Sequence, residues 1–135
     1  TIMPLMDKDF VILLQKCAKG NLLGNEKIKM SNKLSGCVIA TSKGYPHNYE
    51  KGFPIHYGDI DFEDCQIFDS GTSLNSEGEF ITDGGRVLSI VCQGKDFNEV
   101  FEKAYKNLKE ISFEGIFYRK DIGHQVRIKN LKNEE

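Results

Sequence analysis

The chain has 135 residues, with 18 Lys and Arg against 20 Asp and Glu, a formal charge of −2. That near-balance argues against an electrostatic nucleic-acid binder, which carries a clear excess of cations. An apolar share of 39%, with nine Phe and five Tyr, is too high for a disordered chain and suits one core in one domain.

No apolar run approaches the ~20 residues of a membrane span; the longest is Phe10 to Leu14. The start, Thr1 to Asp9, is mixed and charged, unlike a secretory signal. A first residue of Thr with a helix close behind reads as a piece of a longer chain or as a trimmed terminus. Phe10, Leu13, Leu14, Cys17 and Ala18 follow the spacing of an amphipathic helix, with Asp7 as its cap and Gly20 as its stop. Asn21 to Met30 is polar and irregular.

Leu34 to Ser42 reads as a continuous, β-rich strand buried on both faces. A loop rich in Gly and Pro follows, then short strands at Phe53 to Tyr57 and Cys65 to Phe68. Asn75 to Gly78 and Asp83 to Arg86 are turns, and Val87 to Gln93 is a strongly β-prone strand. The period then changes. Phe97, Val100, Phe101, Ala104, Tyr105, Leu108 and Ile111 recur at helical spacing, and Asp96 with Glu99 resembles a capping box. Phe113 to Tyr118 is extended, Lys120 to Gly123 turns, Val126 to Ile128 makes a last strand, and Lys129 to Glu135 is a polar tail. The connections are mostly too short for parallel crossovers, which predicts a mainly antiparallel α+β unit.

Cys17, Cys37, Cys65 and Cys92 form no CxxC and take no zinc spacing with His47, His56 or His124. They read as reduced, mostly buried thiols of a cytosolic protein. Asp59, Asp61, Glu63 and Asp64 read as a solvated acidic loop. No GxSxG, HExxH or GxxxxGK[ST] motif occurs.

Three segments suit an anion. In Asp83-Gly84-Gly85-Arg86, paired glycines let backbone N–H groups approach an anion and Arg86 offers a forked donor. The same residues also make an ordinary hairpin turn with a solvated Arg. Lys43 at the edge of Lys43-Gly44-Tyr45-Pro46 can hold a phosphate or a carboxylate, or sit in a plain turn. Arg119 and Lys120 before Asp121-Ile122-Gly123 either close an anion site or are rim charges.

These pieces, in this order, resemble the C-terminal domain of the phosphoribosylamine–glycine ligase family. The residues concerned are Ser42-Lys43-Gly44-Tyr45-Pro46, Gly71-Thr72, Gly84-Gly85-Arg86-Val87-Leu88, Phe113-Glu114-Gly115 and Tyr118-Arg119-Lys120-Asp121-Ile122-Gly123. The resemblance implies a barrel-sandwich-like C-terminal domain of an ATP-grasp ligase over 31–135, with 1–30 as the end of the ATP-grasp domain and a connecting helix. It implies a cytoplasmic enzyme of purine synthesis that joins glycine to 5-phosphoribosylamine through a glycyl phosphate. ATP and Mg²⁺ or Mn²⁺ would be held by preceding lobes of the same enzyme, so this portion would be inactive alone and would hold no cofactor. Gly84, Gly85 and Arg86, with Lys43 and Arg119, would form one wall of the phosphoribosylamine site. No nucleic acid or membrane partner is implied.

The chain departs from the family pattern at Ile2, His47-Asn48, Asp69-Ser70 and Gln125. Gln125 removes a cation, and Asp69 would bring a carboxylate near the wall and weaken a phosphate site. The alternatives are the C-terminal domain of a carboxylase-type ATP-grasp enzyme and a non-catalytic carrier or interaction module. Against the carrier, no Met-Lys-Met occurs and the turns at Asn75 and Gly84 lack a Lys at the tip.

Overall fold

The computed structural model describes residues 1–22 and 28–127. Four antiparallel strands form the main sheet in the order β3-β6-β1-β8: β3 (Cys65–Asp69), β6 (Arg86–Gly94), β1 (Leu34–Ser42) and β8 (Ile116–Phe117). Two further antiparallel pairs flank it. One joins β2 (His56–Tyr57) to β7 (Ile111–Ser112), and the other joins β4 (Thr72–Leu74) to β5 (Phe80–Thr82).

Helix α2 (Phe97–Lys109) lies across one face of the main sheet. Its start is the predicted one. The Asp96 carboxylate accepts from the Glu99 N–H at 2.8 Å, while the Glu99 carboxylate accepts from the Lys95 N–H at 2.9 Å. Val100, Phe101, Ala104 and Leu108 bury against Val38, Ala40, Leu88 and Ile90, so the 3.6-residue period meets the two-residue period of the strands. Gly36 is where the layers come closest. A Cβ there would stand 2.7 Å from a Val100 methyl.

Several expectations need correction. Strand β1 is not buried on both faces: Val38, Ala40 and Ser42 are buried, while Ile39 is exposed and Cys37 and Thr41 are half-buried. The apolar run concealed an alternating strand because Cys and Ile stand on its outer face too. Helix α1 (Phe10–Ala18) is capped by Asp9, not Asp7, through a 2.8 Å bond from the Val11 N–H. Of its apolar stripe Leu13 is the buried member, and Phe10, Leu14, Cys17 and Ala18 are exposed. The strand expected at Val126 to Ile128 is instead a helical turn over 124–127, and Arg127 N–H donates to the Gly123 carbonyl at 3.1 Å. Ile128 and the polar tail after it lie outside the described residues.

The cysteines are not four reduced thiols. Cys65 and Cys92 face each other across β3 and β6 and are joined as a disulfide, while Cys17 is exposed and Cys37 half-buried.

The acidic loop is tied down. Asp61 pairs with Lys106 at 3.1 Å, and Asp64 pairs with Lys33 and, at 3.4 Å, with Lys103, which also meets Glu99 at 3.0 Å. The fully buried Asn107 clamps the same loop, its side chain bonding both the N–H and the carbonyl of Asp61. A hydrogen bond from Lys106 holds the Asp61 carboxyl below its ordinary range, and one from Lys33 does so for Asp64. A carboxylate depressed in the folded state stabilises fully above its unfolded pKa, and that stability is lost as pH falls through the folded value. The urea midpoint is therefore expected to hold from neutral pH to about pH 5 and to drop below about pH 4. In Asp64→Asn, which tolerates the left-handed backbone at this position (φ +57°), the drop should be smaller. An identical acid profile in the two proteins would refute the pairing.

Candidate functional site

All five motifs singled out in the sequence meet at one end of the main sheet. The Ser42 N–H donates to the Gly85 carbonyl at 2.8 Å and its hydroxyl to the Gly84 carbonyl at 3.0 Å. Lys43 N–H donates to the Gly115 carbonyl at 2.8 Å, and the Thr41 hydroxyl to the Phe117 carbonyl at 3.0 Å. Gly71 crosses Gly84 so closely that a Cβ on Gly71 would lie 2.6 Å from the Gly84 Cα. Gly85 is buried beneath the Tyr45 ring, which a Cβ would overlap. The two glycines thus serve backbone crossing and ring packing.

A β-bulge turns Arg86 outward. Register runs regularly from Leu34↔Gly94 to Ala40↔Leu88, then skips Val87 so that Thr41 faces Arg86. Had the ladder continued evenly, Val87 would stand opposite Thr41 on the outer face and Arg86 opposite the buried Ser42. The extra residue sends Val87 into the core, where it is fully buried, and leaves Arg86 beside Thr41.

The outer face of β1 then becomes the floor of a cavity of about 310 Å³. Cys37, Ile39 and Thr41 line it, with Tyr45, Phe117, Tyr118 and Ile122 as apolar walls and Arg86 and Arg119 as its cations. Arg86 is exposed, and among the described residues nothing pairs with its guanidinium. Arg119 forks onto Asp121 through two bonds of 2.9 and 2.7 Å. That pairing raises the Arg119 pKa and holds the Asp121 carboxyl below its usual range. Burial raises the Cys37 thiol pKa.

The other candidates are placed differently. Lys43 lines a separate groove of about 530 Å³ with Tyr49, Glu50, Glu114 and Gly115. Gly85 borders a third hollow with Arg86, Tyr45 and Ser70. Asp69 does not crowd the cations. It lines a hollow with Tyr57 and Phe80, where burial and the Asp69 carboxylate push the Tyr57 hydroxyl up to about 12. Gln125 is exposed on the terminal helical turn.

The sequence did not single out the floor residues Cys37 and Ile39, since in one dimension they look like core. Nor did it single out Tyr105, which the helical period counts among the apolar positions. Its hydroxyl donates to the Arg119 carbonyl at 2.8 Å and accepts from the Ile122 N–H at 3.1 Å. Its pKa is raised, chiefly by burial.

The chain is an α+β domain with antiparallel sheets, a helix across the inner face of the main sheet and two arginines over its outer face. Residues 35–125 match the family model described as phosphoribosylglycinamide synthetase, C domain, and the chain belongs to that family. It is 43% identical over 121 residues to a phosphoribosylamine–glycine ligase of Caldanaerobacter subterraneus, covering 90% of this chain and 28% of the relative. It is 38% identical over 127 residues to a bifunctional purine biosynthetic protein of Dictyostelium discoideum, covering 93% of this chain and 16% of that one. The crystal structure of phosphoribosylamine–glycine ligase from Thermotoga maritima superposes with a TM-score of 0.70 at 30% identity, over 83% of this chain and 27% of that chain. The chain thus spans less than a third of the length of these relatives and corresponds to a C-terminal portion of such ligases. Among the described residues no helix is long and apolar enough to cross a membrane.

Proposed function

We propose that this domain forms one wall of the phosphoribosylamine site of a phosphoribosylamine–glycine ligase, an ATP-grasp enzyme of purine biosynthesis acting in the cytoplasm. In the proposed reaction ATP phosphorylates the glycine carboxylate. The amine of 5-phosphoribosylamine then attacks the glycyl phosphate, releasing phosphate and giving glycinamide ribonucleotide. By resemblance to the family, the proposal assigns ATP and Mg²⁺ or Mn²⁺ to lobes outside residues 1–135, and this domain contributes positioning and charge.

The observation that carries the reading is Arg86, turned outward by the bulge onto the same cavity as Arg119 and, among the described residues, without an ion-pair partner. A guanidinium so placed can meet a phosphate with two parallel bonds. Gly84 and Gly85 set the turn that presents it, and Lys43 guards the adjoining groove. The exposed apolar side of α1 suits packing against the preceding lobes.

The test is a fusion of this chain to the preceding lobes of the Caldanaerobacter relative, assayed with glycine, ATP and phosphoribosylamine. Arg86→Ala is expected to raise KM for phosphoribosylamine about tenfold or more, the scale of a lost charge-assisted bond, and to leave KM for ATP within about twofold. Unchanged kinetics would remove Arg86 from the site. A full-length parent protein that uses bicarbonate in place of glycine would favour the carboxylase-type alternative.

A further inference from the structure

We infer that Tyr105 is a positioning residue whose hydroxyl holds the loop bearing Arg119 against the cavity, an inference that rests on the reading of that cavity as the phosphoribosylamine wall. Between β8 and the helical turn at 124–127 the chain has no strand partner. Among the described residues, no other hydrogen bond joins the backbone of residues 119–122 to the body of the domain. The Tyr105 hydroxyl makes both links: it donates to the Arg119 carbonyl at 2.8 Å and accepts from the Ile122 N–H at 3.1 Å.

Its anchorage is rigid. Tyr105 stands on α2 between the buried Ala104 and the buried Asn107 and Leu108, and its ring tilts against that of Tyr118 with centroids 6.3 Å apart. Tyr118, just before the tethered segment, and Ile122, its last residue, pack on the core cluster. Within the segment the fork between Arg119 and Asp121 fixes the guanidinium relative to its own backbone. The remaining freedom is that of the whole loop, and the hydroxyl removes it. A side chain with one donor and two acceptor lone pairs can satisfy both backbone groups at once, which a Phe of the same shape cannot.

The experiment uses the same fusion protein and three variants, Tyr105→Phe, Arg119→Ala and the double substitution. Tyr105→Phe is expected to raise KM for phosphoribosylamine about three- to tenfold, the scale of one or two hydrogen bonds, with kcat and KM for ATP unchanged. The double variant should match Arg119→Ala alone, because the hydroxyl acts through that side chain. Hydrogen exchange supplies a readout independent of activity: the Ile122 amide should exchange faster in Tyr105→Phe while α2 keeps its protection. A purely structural tyrosine would instead shift both KM values together, or give a double variant equal to the product of the singles. Either result overturns the inference, as does an Ile122 amide that exchanges unchanged. If Arg86→Ala raises KM while Tyr105→Phe is silent, this inference alone fails; if Arg86→Ala is silent, the reading beneath it fails as well.

Discussion

Gly123→Ala is expected to cost about 2–5 kcal/mol of folding stability. Two effects add at this position. The backbone sits at φ +80°, where an L side chain costs roughly 1–2 kcal/mol. A Cβ would also overlap the ring of Phe101, which is buried on the sheet-facing side of α2 and packed with Phe97, Val100 and the sheet below. Forcing a methyl into such packing costs about 1–3 kcal/mol more. Gly78 separates the two contributions, because it has φ +81° with nothing within 4 Å of a Cβ. Urea midpoints should therefore rank wild type above Gly78→Ala and Gly78→Ala well above Gly123→Ala. Equal midpoints for the two variants would mean that Phe101 does not support this turn. The same clash bears on the site. Gly123 closes the loop that carries Arg119, so any backbone shift that relieves Phe101 moves the cavity wall too.

How much of this architecture is legible in one dimension depends on the reach of each signal. Helix α2 is plain in the sequence because its cap, its period and its length all lie within fifteen consecutive residues and agree. Strand β6 is plain for the same reason, Val87 to Gln93 being unbroken β-formers. Its bulge is not plain, because a bulge is a statement about register with β1, some 46 residues away, and Val87 looks like any other strand valine. The outer face of β1 is hidden in the sequence because Cys37 and Ile39 are apolar yet line a cavity. A cavity floor and a core are the same composition until a partner strand gives the strand its sides. Helix α1 shows the converse. Its stripe at 10, 13, 14, 17 and 18 correctly announces an apolar face, yet in this domain Leu13 is the member that finds cover. The segment 124–127 resembles a strand in sequence because Val126 and Ile128 are β-formers, while the bond from the Arg127 N–H to the Gly123 carbonyl and the 2.8 Å contact from Arg127 to Asn98 favour a helical turn that docks on α2. The five motifs are legible one by one as weak anion or turn signals. That they form one wall follows from the resemblance and not from spacing, because their meeting depends on where Ser42, Gly71 and Gly115 lie in space.

The cysteines show the same limit, and their pairing yields the second large effect. Spacing cannot say which of four thiols pair, but the β3–β6 register puts Cys65 directly opposite Cys92 with Cα atoms 4.1 Å apart. Their side chains are both buried on the core side of the ladder. The bond closes a loop across a sequence separation of 27 residues. In the chain-entropy view, removing that closure from the unfolded ensemble destabilises the fold by about 2–4 kcal/mol. Reduction is therefore expected to lower the urea midpoint of the oxidised chain substantially, and a variant carrying Cys65→Ala and Cys92→Ala should be insensitive to reductant. Alkylation after unfolding without reductant provides the chemical check: Cys17 and Cys37 should label, and Cys65 and Cys92 should label only after reduction. Labelling of all four without reductant, together with a midpoint that ignores reductant, would return the pair to the free-thiol state expected from composition. The ladder itself does not need the bond, since β3 still pairs with β6 from Gln66 to Asp69 through backbone groups. In a reducing compartment the same two side chains would stay apposed as thiols, β3 would remain an edge strand, and the domain would be less stable by the loop-closure increment. That increment is larger than the effect expected of a single surface ion pair such as Lys51 with Asp83, so the redox state of this one pair should be fixed before any other stability difference in the domain is interpreted.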